Sequence, residues 1–147
     1  MTTMTDTTIE KEITIDAPVE RVFAALTDPA QLAQWWDNDA HKVQSFEADV
    51  RVGGAWHMIS SVPEDHRVHG VYRVIEPPTA LEFTWIHNRF GEPKETVVRF
   101  DLTERSGKTH LRLTHSGFPN QEMYEDHNEG WTIVLGWLDR YVQAESA

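Results

Sequence analysis

The chain contains no cysteine. That excludes disulfides, thiolate-bound metal, iron–sulfur clusters and a cysteine nucleophile. It also lacks an apolar run approaching the roughly 20 residues needed to span a bilayer. The opening stretch, MTTMTDTTIEKE, has no apolar core of the kind found in a signal peptide, so a cytoplasmic location is expected. Cations are scarce: 13 Lys and Arg face 24 Asp and Glu, a formal net charge of −11. Such a surface repels phosphate backbones and anionic lipid, so neither nucleic acid nor membrane is an expected partner. Signature motifs are missing too. There is no G-x-S-x-G nucleophile elbow, and Gly53-Gly54 has neither the third glycine nor the following helix of a dinucleotide site. Kinase, NTPase, Rossmann dehydrogenase and serine hydrolase chemistry have no signature here, and no cofactor is expected.

What the chain does have, in 147 residues, is six tryptophans and eight histidines. Its length suits one domain around one core. Residues 1–8 are polar and threonine-rich and read as a disordered tail, with a single domain over 9–147. Ile13 and Ile15 alternate with polar neighbours, which predicts a first strand. Asp16 is then placed to cap a helix in which Val19, Val22, Phe23 and Leu26 form one apolar stripe. Asp28 and Pro29 open a second short helix that turns Leu32 and Trp35 or Trp36 inward. From Val43 the period becomes two. Strands are expected around 43–49, 52–61, 67–76, 81–87, 96–103 and 109–115, separated by Gly- and Pro-bearing turns. Each has one apolar and one polar face, as an antiparallel sheet wetted on one side requires.

The last element, from about Asn120 to Ala144, carries Met123, His127, Trp131, Val134 and Leu138 at helical spacing. At ~1.5 Å per residue it is long enough to cover a sheet face. The order predicts an α+β fold: a curved antiparallel sheet of six to seven strands wrapped around a long C-terminal helix, with two short helices after the first strand. Such a sheet does not meet a straight helix everywhere, which favours an internal cavity. Gly70 is expected to open space on the inward face of its strand. Gly130 is expected to let a ligand or a strand approach the helix backbone.

Several segments carry a family resemblance: ITIDAPVERVFAALTDPAQLAQWW, VGGAWHM, GVYRVIEPPTALEFTW, LTHSGF and HNEGWTIVLGWLDRYV. In this order and spacing they resemble the START-related helix-grip superfamily, which includes the polyketide-cyclase and birch-pollen-allergen groups. Within it they are similar to the bacterial branch related to the activator of the heat-shock-protein-90 ATPase. The likeness covers about residues 9 to 143. It implies a helix-grip domain, and the superfamily hosts carriers, sensors, cyclases and co-chaperones on one scaffold.

Candidate site residues follow from parity. From the strands, Trp56, Met58, Tyr72, Phe83, Trp85, Val98, Phe100 and Leu113 are expected to face inward. Of Trp35 and Trp36 one is expected to cap the core and the other to lie at the cavity mouth or a dimer contact, with Trp36 counted among the ligand-binding residues, and Met123, Trp131 and Val134 are expected on the helix. Apolar walls with a phenol, imidazoles and an indole N–H suit a small hydrophobic or aromatic molecule. Among the histidines only His115 and His127 are expected inward and close together. They are the candidates for an acid or base of a cyclase- or isomerase-type enzyme, whereas parity leaves Glu82 and Asp101 on the wet face. His115 has a plainer reading, as a hydrogen-bonding anchor for the helix start. No metal site is expected, since no spacing motif supports one. A third reading is a co-chaperone-like interaction domain. Ile133 and Trp137, off the main stripe, are expected against the first strand or at a homodimer contact.

Overall fold

The computed structural model describes residues 8–36, 42–62, 66–87 and 95–146. The tail expected over 1–8 lies outside them except for Thr8, as do His41 and most of the turns expected around 63–65 and 88–94. The order is β1 (Ile9–Ile15), α1 (Val19–Thr27), α2 (Pro29–Trp35), β2 (Lys42–Ala48), β3 (Ala55–Val62), β4 (His66–Glu76), β5 (Ala80–His87), β6 (Thr96–Arg105), β7 (Lys108–Ser116) and α3 (Gln121–Ser146). The strands form one seven-stranded curved antiparallel sheet in the order β1-β7-β6-β5-β4-β3-β2. Chain order is kept from β2 to β7, and β1 returns to the far edge beside β7, pairing Ile9 with His115 and Ile15 with Thr109. The tight β6–β7 turn is made by Ser106 and Gly107, both at positive φ. That backbone matches the twist of the strands it joins.

The 26-residue α3 lies across the apolar face of this sheet. Its buried positions are Met123, His127, Trp131, Val134, Leu135, Trp137, Leu138 and Val142. Facing them are Leu81, Val98, Phe100, Leu111 and Leu113, each at most 4% exposed. The chain thus has the helix-grip arrangement. The opposite sheet face is wet and charged: Arg99 bridges Glu82 at 3.1 Å and Asp101 at 3.1 Å.

Three local expectations are corrected. Asp16 does not cap α1. The helix starts at Val19 with Pro18 in the cap position, and the Val19 N–H instead donates to Glu104 Oε1 at 3.0 Å from the distant β6–β7 hairpin. A long-range acceptor has replaced the local one. Asp28 caps α2 as its sequence suggests, accepting from the Ala30 N–H at 3.1 Å. Nothing approaches Gly130: a Cβ there would meet no atom within 4 Å. Gly70 does not open space. A Cβ there would strike the Thr84 carbonyl, with Thr84 Oγ1 at 2.8 Å. The close approach is therefore of β5 to β4, inside the sheet. Trp137 is buried edge-on against Trp36, 6.5 Å between centroids, whereas Ile133 is 51% exposed.

Candidate functional site

The inward parity of β3 to β6 delivers Trp56, Met58, Tyr72, Phe83, Trp85 and Phe100 to one end of the sheet, where Trp131 of α3 meets them. The roof comes from elsewhere: Leu26 of α1, Leu32, Trp35 and Trp36 of α2, and Phe46 of β2. Between walls and roof lies an apolar cavity of about 40 Å³. That is room for water, which needs about 10–15 Å³, and far below the ~300 Å³ at which drug-sized ligand pockets begin. The roof is thin. Only Trp35 is buried in the seven-residue α2, and its indole N–H donates to the Ala25 carbonyl at 2.9 Å. Trp36, half-buried at the C-terminal end of α2, plugs the space. Its ring lies 5.8 Å from Trp131, 6.1 Å from Trp85 and 5.5 Å from Trp35.

Four residues expected on the wall, Val98, Leu113, Met123 and Val134, are buried but lie outside it. The roof residues Leu26, Leu32, Trp35 and Phe46 were not foreseen as lining, because strand parity says nothing of what covers the sheet's end. His87 was also missed. It is buried, with its ring 5.5 Å from that of His127. The parity that selects Leu81, Phe83 and Trp85 on β5 continues to it.

His115 and His127 do come together, 5.5 Å between ring centroids. Their hydrogen bonds fix their tautomers. The Trp85 indole N–H donates to His127 Nε2 at 3.1 Å, so the His127 proton sits on Nδ1, which donates to the Met123 carbonyl at 2.9 Å. The Trp131 indole N–H donates to His115 Nδ1 at 2.9 Å, so His115 carries its proton on Nε2. That proton goes to Thr96 Oγ1 at 2.8 Å, and the Thr96 hydroxyl donates onward to the Trp85 carbonyl at 2.7 Å. An indole N–H can only donate, so both imidazoles must be neutral for these bonds to exist. Burial pushes His115 well below its ordinary value, and the neighbouring His127 lowers it further. Burial also lowers His127, against smaller upward pulls from the Met123 carbonyl and from Asp126, whose carboxylate lies 3.6 Å away. All four ring nitrogens are thus engaged within the fold. Among the described residues no three His, Asp or Glu side chains are grouped to hold a metal ion, and no helix is long and apolar enough to cross a membrane.

The fold agrees with comparison to known proteins. Residues 16–143 match the family described as Activator of Hsp90 ATPase homolog 1-like protein. The chain belongs to this family. Among solved structures, protein CV1439 from Chromobacterium violaceum superposes with a TM-score of 0.85 at 28% identity, covering 92% of this chain and 96% of that one. The AHSA1 protein SPO3351 from Silicibacter pomeroyi gives 0.80 at 28% identity, covering 94% and 99%. CalU16 from Micromonospora echinospora gives 0.72 at 25% identity, covering 92% and 73%. No curated protein matches the sequence. A fold does not by itself fix an activity, so function is argued from the site.

Proposed function

We propose that the protein binds a small hydrophobic or aromatic molecule at the end of the sheet, in the space now plugged by Trp36. The observation that carries this is the cavity itself, walled by aromatic side chains and roofed by a seven-residue helix that buries one residue. A packed core has no need of such a cover. Moving α2 outward uncovers only this end of the sheet, whereas moving α3 would break the whole core. Opening of α2 turns the residual 40 Å³ into a binding site without cost to the sheet–helix contact. The alternative, proton transfer by His115 or His127, finds less support, because each ring already spends both nitrogens on partners within the fold.

Titration of the protein with indane, a nine-carbon apolar aromatic, tests the reading by isothermal calorimetry. Saturable binding with a negative heat-capacity change, weakened by Leu32→Asp in the roof, is the expected result. Absence of saturable binding by indane and by larger aromatics such as naphthalene overturns it.

A further inference from the structure

Three of the indoles around the cavity have committed their N–H groups: Trp35 to Ala25, Trp85 to His127 and Trp131 to His115. Trp56 has not. It is 5% exposed, and its Nε1 is buried with no hydrogen-bond partner among the described residues. Nearly all buried donors in folded proteins are paired, so this one calls for an acceptor from outside the chain. The ring that bears it forms part of the cavity wall, edge-on to Phe83 at 5.5 Å and tilted against Trp85 at 5.7 Å. Tyr72 lines the same space.

Resting on the proposed binding of a small molecule in this cavity, we infer that the ligand is an uncharged, planar aromatic molecule bearing a carbonyl oxygen that accepts the Trp56 indole N–H. The chemistry follows from the wall. Indole is donor only, so the ligand must present an acceptor. Among the described residues no charged side chain lines the cavity, and a carboxylate buried against them would have no counter-ion. Burial pushes the Tyr72 hydroxyl up to about 12, which keeps it a neutral phenol able to donate to the same oxygen. The rings of Trp56, Phe83 and Trp85 offer edge and face contacts that flat ligands satisfy best. Water is a poor substitute. It needs two to four polar partners, and the surrounding wall is almost entirely hydrocarbon.

The test uses two probes of one shape, 1-indanone and indane, on the full chain and on Trp56→Phe. In Trp56→Phe, which trims the wall for both probes alike, 1-indanone is expected to lose about tenfold more affinity than indane, the difference being one hydrogen bond to a buried donor. A second readout needs no variant to fold. In the wild-type spectrum the Trp56 indole proton is expected to move downfield on addition of 1-indanone and to stay near its place with indane. Equal responses of the two probes to Trp56→Phe, together with an indole proton that ignores the ketone, overturn the inference and leave the apolar site standing. Failure of both probes and of naphthalene to bind overturns the site as well.

Discussion

His115 and His127 look, in the sequence, like a catalytic pair, and in the fold they are fasteners. Each takes an indole N–H on one nitrogen and gives its own proton from the other. Protonation would set N–H against N–H at both tryptophans. Because burial holds both histidines below their ordinary value of 6.5, the unfolded chain takes up protons first as pH falls. Stability is therefore full above about pH 6.5, declines below it, and levels off once the folded state also protonates. The slope is about 1.4 kcal/mol per pH unit for each histidine. Urea midpoints at pH 7.5, 6.0 and 5.0 should show this fall, and His127→Gln should remove part of it, the larger share belonging to the more deeply buried His115. A flat profile would mean that neither ring is held neutral. The sequence showed that the two imidazoles face inward. It did not show their hydrogen-bond partners, since Thr96 and Trp85 are 19 and 42 positions away from theirs.

The helices and strands were legible to a different degree. Seven strands, two short helices and one long helix follow from periodicity, because an apolar face must be buried wherever it occurs. What periodicity missed was the long-range replacement of a local cap. Glu104→Ala, removing the acceptor of the Val19 N–H, is expected to cost about 1 kcal/mol, as loss of a helix cap does. Asp16→Ala should be close to neutral. The opposite ranking in urea denaturation would restore Asp16 as the cap. The two glycines separate in the same way. Gly130→Ala adds a methyl that meets nothing in a helix interior and should stabilise by up to about 1 kcal/mol. Gly70→Ala drives a methyl into the Thr84 carbonyl and should destabilise, by about 2 kcal/mol or more. Both had looked like openings in the sequence. Only coordinates distinguish a glycine with space around it from one with a backbone pressed against it.

Across the molecule as a whole, the fold was readable because seven strands and a covering helix have few ways to bury one apolar face. The candidate site was readable for its floor, for Trp131 on the helix and for Trp36, but not for the rest of its roof. Trp56, Met58, Tyr72, Phe83, Trp85 and Phe100 obey strand parity, but the roof joins residues from α1, α2 and β2 whose meeting is a tertiary fact. The standoff of the helix from the sheet, which decides the 40 Å³, has no sequence signal at all. If opening of α2 admits a ligand, folded protein should gain about 2.7 kcal/mol at a ligand concentration a hundredfold above Kd, with indane and urea melts as the check. An unmoved midpoint under saturation would show that the ligand sits equally well on the unfolded chain. The plug has one more consequence. Trp36 lies within 6.5 Å of four other indoles, in tilted and edge-on arrangements with no symmetry. Chromophores so close and so fixed share their electronic excitation, and their handed arrangement imprints a strong signature on the near-ultraviolet circular dichroism that reports tertiary packing. Displacing Trp36 takes the central member out of that array. The protein therefore announces its own opening in polarised light, without any label.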